Sequence, residues 1–170
     1  MTLPPAVLGI DPGLQGALVT YRPGKSPVIY DMPLHDGKID VLMLSKLIYY
    51  ASNNYPGIVA ALEQVQGRPR QAGVFGFATG YGMIQGCLAS SGIPFVLAIP
   101  NKWKPAMGLA RHLDESQAAY KTRSRFKAAI WAPECAGQFA RVKDDGRAEA
   151  LLLAIYYAQK LGLNVPPFKG

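Results

Sequence analysis

Cysteine and histidine are nearly missing from this 170-residue chain, which has only Cys87 and Cys135, His35 and His112. So few cysteines cannot form a disulfide framework, and neither residue type shows the CxxC or Cys/His spacing of a zinc site. A disulfide-stapled scaffold is excluded, a reducing compartment is expected, and any resident metal should be a hard, oxygen-preferring ion. No run of about 18 uninterrupted apolar residues occurs, so no membrane-spanning helix and no membrane partner are expected. The opening Met1-Thr2-Leu3-Pro4-Pro5 lacks a basic segment followed by an apolar one, which argues against an export signal or transit peptide. Repeats, heptads and low-complexity tracts are also absent. Acids are scarce, 11 against 18 basic residues, for a net charge of +7.

What is present suffices for a core. With 49% apolar residues, the chain is expected to form one domain over 1–170. The charge is uneven. Arg68, Arg70, Lys102, Lys104, Arg111, Lys121, Arg123, Arg125, Lys127, Arg141 and Lys143 crowd the middle, against Asp114, Glu115 and Glu134. Such a surface steers polyanions, or simply keeps the protein in solution.

The organising stretch is Val7-Leu8-Gly9-Ile10-Asp11-Pro12-Gly13, an apolar run that ends on an acid and a turn, as a buried strand would. Ala17–Tyr21 and Pro27–Met32 follow as strands across a short hairpin connection. A helix capped by Asp40 runs to the Asn53–Gly57 stop. Ile58–Leu62, closed by Glu63, is a doubly covered strand. Gln66–Gly73 is a polar, basic loop, and Thr79–Ser91 a helix whose many small residues suit close packing, within the chain or across a dimer. Phe95–Ile99 is a fifth strand. Asp114–Gln117 has capping-box spacing and begins a helix to Trp131 that offers one row of basic residues to phosphates. Ala132–Lys143 is a loop before a last helix, Asp145–Leu161. This order predicts an α/β fold with a mixed five-stranded sheet and helices on both faces.

Asp11, Glu63, Asp145 and Glu149 each stand at the edge of a run that should be buried. An ionised carboxylate out of water costs several kcal/mol unless paired or metal-bound. Asp145 and Glu149, four apart, share one helix face. If the first and fourth strands are parallel neighbours, Asp11 and Glu63 leave the sheet at the same end. Four oxygen donors around a gap suit Mg²⁺ or Mn²⁺, and two such ions about 3.5 to 4 Å apart support in-line phosphodiester hydrolysis. Taken singly, each acid has a structural reading: Asp11 as a turn residue, Asp145 as a cap, Glu149 as a partner of Arg147 or Lys143.

Leu8-Gly9-Ile10-Asp11-Pro12-Gly13, Ala61-Leu62-Glu63-Gln64-Val65 and Asp145-Gly146-Arg147-Ala148-Glu149-Ala150 resemble the three acidic motifs of the RuvC family of Holliday-junction resolvases. Gly76-Phe77, Tyr81-Gly82 and Pro100-Asn101-Lys102-Trp103-Lys104 look most like its phage and chloroplast branch. The resemblance implies an RNase H-like fold, a homodimer, two Mg²⁺ per site with Mn²⁺ able to substitute, and paired nicks across a four-way DNA junction. It makes Asp11, Glu63, Asp145 and Glu149 the metal-binding catalytic acids. Two departures stand out. Gln66 occupies the place of a bacterial wedge aromatic, which passes that role to Phe75 or Phe77, and the final acids lie one residue further apart, leaving Asp144 as the alternative to Asp145. Gln66, Arg68, Arg70, Phe75, Phe77, Lys102 and Lys104 are the DNA-contact candidates. The expected location is the cytoplasm of a bacterium or phage-infected cell, or an organelle had a transit peptide been removed. Competing readings are an actin-like ATPase, for which the chain lacks a duplicated domain, a nuclease for RNA/DNA hybrids or other branched substrates, and a non-catalytic DNA-binding relative.

Overall fold

A computed structural model describes residues 5–64 and 74–167. Strand β1 (Val7–Asp11) pairs antiparallel with β2 (Ala17–Tyr21), which pairs antiparallel with β3 (Val28–Asp31). The chain then makes a small hairpin, β4 (Leu34–His35) and β5 (Lys38–Ile39), turning through Asp36 and Gly37 at φ 49° and 71°. Sequence reading missed it, because two-residue strands carry no alternation to detect. Helix α1 (Val41–Asn54) starts on Asp40, whose side chain accepts the Met43 N–H, as expected. Then come β6 (Val59–Glu63), α2 (Val74–Ser90), β7 (Phe95–Ala98), α3 (Pro100–Ala106), α4 (Gln117–Trp131) and α5 (Asp145–Lys160).

The five long strands form one mixed sheet in the order β3-β2-β1-β6-β7, with β1, β6 and β7 parallel. Alternate residues of each strand face opposite sides. Leu8, Ile10, Leu18, Ala60 and Leu62 meet Leu44 and Ile48 of α1 and Ile84 and Leu88 of α2 on one face. Val7, Val19 and Ala61 meet α5 on the other, with Tyr120 and Ala128 of α4 beyond. Because α5 is covered by the sheet and by α4, it is apolar nearly all round, from Ala148 to Ala158.

Three expectations need correction. Helix α2 begins at Val74, a turn and a half before the expected Thr79. The capping box at Asp114–Gln117 does not form: Ser116 is the cap, accepting from Ala119 N–H, while Glu115 is drawn away to Arg123. The expected loop 132–143 is wound into 3₁₀ turns over Pro133–Phe139 and Val142–Asp144, anchored by buried Phe139 and Asp144. Helix α3 was also unforeseen. Its single apolar anchor, Trp103, is fully buried, and one anchor in seven residues leaves no periodicity to read.

Candidate active site

Parallel pairing of β1 with β6 aligns Ile10 with Leu62, so the next residues, Asp11 and Glu63, leave the sheet side by side at its carboxyl end. That end is where open α/β sheets hold ligands. A tight turn follows Asp11, whose carboxylate accepts the Gly13 N–H at 3.1 Å, and Gly16 N–H closes on Gly13 at 2.8 Å. Helix α5 crosses above, and its backbone comes so near that a side chain on Gly9 would overlap the Ala150 carbonyl, and one on Gly146 the Gln15 carbonyl. This contact brings Glu149 over the two strand ends.

The acids feel one another. Burial, then Glu149 and Glu63, push the Asp11 carboxyl up to about 7. Burial likewise raises Glu63, which is 9% exposed, against the opposing pull of Lys104. Among the described residues no three acidic, histidine or cysteine side chains are gathered tightly enough to enclose an ion. Two ammonium groups stand among them instead. Lys104 Nζ lies 3.0 Å from Glu63 and 2.7 Å from Glu149, and Lys121 Nζ lies 2.7 Å from Asp145. Burial disfavours charge on Lys104, yet Glu149 and Glu63 outweigh it and hold the ammonium protonated well above the ordinary lysine range. Tyr120 backs this pair, its ring 5.9 Å from Lys104 Nζ and its hydroxyl pushed up to about 12 by burial and Glu149.

The residues fit divalent cations as a donor set. They are carboxylate oxygens only, they crowd negative charge that Asp11 cannot fully relieve, and Asp145 Oδ1 is buried with no hydrogen-bond partner among the described residues. Asp145 and Asp144 are distinguished by their partners. The Asp144 carboxylate, 1% exposed, is locked by Arg141 through its guanidinium at 2.8 Å and its backbone N–H at 2.8 Å. Burial would raise its carboxyl, but the Arg141 bonds overcome this and hold it below the usual range. Asp144 therefore serves the fold. A lowered carboxyl contributes stability that is complete above its unfolded value near 3.9 and disappears as pH falls through the folded value. Asp144→Asn is expected to cost about 1.5–3 kcal/mol at neutral pH. Thermal denaturation should find the gap closing as pH falls below the ordinary carboxylate value of about 3.9, and a gap that stays constant through acid would count against the assignment.

The other sequence candidates divide. Phe75 is 86% and Phe77 37% exposed at the start of α2, and Lys102 is exposed on α3. Lys104, a DNA-contact candidate from the sequence, is half-buried inside the acid cluster. Gln66, Arg68 and Arg70 lie outside the described residues. The basic row expected on α4 is also largely engaged: Lys121 holds Asp145, Arg123 holds Glu115, and Arg125 bonds the Ala140 carbonyl. Glu149 pairs with neither Arg147 nor Lys143. Arg147 reaches Asp31 at 2.5 and 2.7 Å, tying the start of α5 to the end of β3. Lys104 and Lys121, read from the sequence as contacts for DNA or phosphate, are thus paired with the acids themselves, a pairing that nothing in the sequence signalled.

Thermus thermophilus RuvC has the same architecture. In complex with a Holliday-junction substrate it superposes with a TM-score of 0.55 at 16% identity, over 91% of this chain and 95% of that one. A second structure of the same protein gives 0.55 at 17% identity, over 95% and 99%. The chain has the RuvC fold, of the RNase H-like class. No family model and no curated protein sequence matches it.

Proposed function

We propose that this chain is a divalent-metal-dependent endonuclease that resolves four-way DNA junctions by paired hydrolysis of phosphodiesters. The observation that carries the reading is the convergence of Asp11, Glu63 and Glu149 from three elements into one buried negative cluster, strong enough to push Asp11 to about 7. Buried like charges are expensive to keep unless something cationic uses them. Asp11, Glu63, Asp145 and Glu149 would hold Mg²⁺ or Mn²⁺. When bound, two such ions supply activation of water and stabilisation of the leaving 3′-oxygen. The chain's own part is to orient the strand. Lys104, on its short helix, would exchange Glu63 and Glu149 for a substrate phosphate once cations neutralise those acids. Lys121 would do the same from Asp145.

A homodimer belongs to this reading. Helix α2 contains no charged residue, and its solvent side presents Phe75, Ala78, Gly82, Gly86 and Ala89. Open space lies beyond Gly82 and Gly86, which suits a second copy, and a two-fold dimer matches the approximate symmetry of a junction. Phe75, at the exposed start of this helix, would be the wedge that Gln66 cannot be. The Pro100–Lys104 and Gly76–Gly82 motifs favour the phage and chloroplast branch.

Cleavage of a synthetic four-way junction is the test, beside linear duplex and an RNA/DNA hybrid of matched sequence, with Mg²⁺ or EDTA. Symmetric nicks in the junction, lost with EDTA, are expected. Cutting of the hybrid alone would transfer the site to another substrate, and binding without cutting in Mg²⁺ would leave a non-catalytic DNA-binding protein.

A further inference from the structure

Between α3 and α4 the chain runs over Gly108–Glu115, and this segment is held by one side chain. Arg123 donates from Nε and Nη2 to the two Glu115 oxygens at 2.8 and 2.7 Å, from Nη1 to the Gly108 carbonyl at 2.6 Å, and from Nη2 to the Ala110 carbonyl at 2.8 Å. Both ends of the loop are therefore pinned to one guanidinium, and the loop keeps a shape of its own. At its tip Leu113 is fully exposed, at 104%. The pinned loop thus holds this leucine entirely in water, where its apolar area is open to whatever the loop meets.

The loop stands beside the acid cluster. Arg111 lies 5.6 Å and Lys104 5.9 Å from the same Tyr120 ring centroid, and Lys104 touches Glu63 and Glu149. Lys104, Lys121 and Arg123 are occupied by carboxylates, whereas Arg111 is an exposed residue with no carboxylate partner among the described residues. Glu115 is neutralised by Arg123, which leaves Arg111 and the exposed Asp114 as the loop's two remaining charges, and of these Arg111 is the one against Tyr120.

We propose that the Gly108–Glu115 loop is a second nucleic-acid contact of this site, with Arg111 on a backbone phosphate flanking the one attacked and Leu113 against the bases. The inference rests on the proposed nuclease function. A guanidinium fork suits phosphate oxygens, and apolar side chains such as leucine unstack base steps by insertion. Arg123 is a positioning residue, acting through the loop it pins.

The test is equilibrium binding of the full chain carrying Asp11→Asn to a fluorescent four-way junction in Mg²⁺ over a range of salt. Arg111→Gln should weaken binding several-fold at low salt and reduce the slope of log K against log salt by about one. Arg111→Lys should keep the slope, and Arg22→Gln, at the opposite end of the sheet, should change neither. With 2-aminopurine near the branch point, Leu113→Ser should keep the slope and lose the fluorescence rise that follows unstacking. An unchanged slope in Arg111→Gln, or an unchanged fluorescence rise in Leu113→Ser, overturns the inference while junction binding by the parent keeps the proposed function. A parent that prefers no junction over duplex overturns both.

Discussion

Asp11→Asn is expected to stabilise the metal-free protein at pH 8 while lowering junction cleavage by a factor on the order of 10³ or more. The two effects share a cause. Asp11 is raised from 3.8 to about 7 by burial and by Glu149 and Glu63, so the folded state binds its proton more tightly than the unfolded chain does. Stability attached to this group is intact below about pH 4, declines as pH rises toward the folded value, and is fully lost above it. The charged carboxylate then costs the fold on the order of 4 kcal/mol. Asparagine removes the charge yet keeps an oxygen for the Gly13 N–H. Melting curves in EDTA should therefore separate the two proteins at pH 8 and bring them together near pH 4. In Mg²⁺ the order should narrow or reverse, because binding to the folded state adds stability in proportion to RT ln(1 + [L]/Kd). Equal melting at pH 8 in EDTA would mean that Asp11 does not face the other acids.

Gly9→Ala is the other large effect. Gly9 sits in the central strand, and a β-carbon there would overlap the Ala150 carbonyl and crowd the Ala154 nitrogen. Backbone cannot turn aside as a flexible side chain can, so α5 must lift off the sheet. Overpacking costs typically 1–3 kcal/mol and more where no relaxation exists; about 3 kcal/mol corresponds to a fall in Tm of roughly 6–12 °C for a chain of this size. Lifting α5 also withdraws Glu149 from Asp11, so the Asp11 titration should shift down along with the melting point. Gly137→Ala, which meets no atom within 4 Å, provides the tolerated comparison. A Gly9→Ala protein with normal melting and an unmoved Asp11 would refute the close α5 contact.

The sheet was legible because its strands announce themselves. Val7–Asp11, Ala17–Tyr21 and Val59–Glu63 are apolar runs ended by an acid or a turn, and that pattern needs no partner to be read. Helices α1, α4 and α5 were legible to within a few residues, α1 because of its cap and stop, Asp40 and Asn53–Gly57. The β4–β5 hairpin, α3 and the 3₁₀ turns were not, since each is too short for a period and is held by contacts made elsewhere, such as Trp103 in the core and Asp144 on Arg141.

The sequence by itself determined where the acids sit on their own elements, because strand ends and the four-residue helical interval are local geometry. Asp11 and Glu63 were placed at strand ends and Asp145 and Glu149 on one helix face from those rules alone. Only the tertiary structure decided which charges face one another. Lys104 lies 41 residues from Glu63 and 45 from Glu149 in the numbering, and nothing local distinguishes it from Lys102, yet α3 turns one inward to the cluster and leaves the other in water. The same holds for Asp144 and Asp145, neighbours whose partners, Arg141 and Lys121, are set by the packing of α4 against α5 and the turn before it. Electrostatic pairing depends on distance through space and on burial, and a linear pattern of residues encodes neither until the chain has folded.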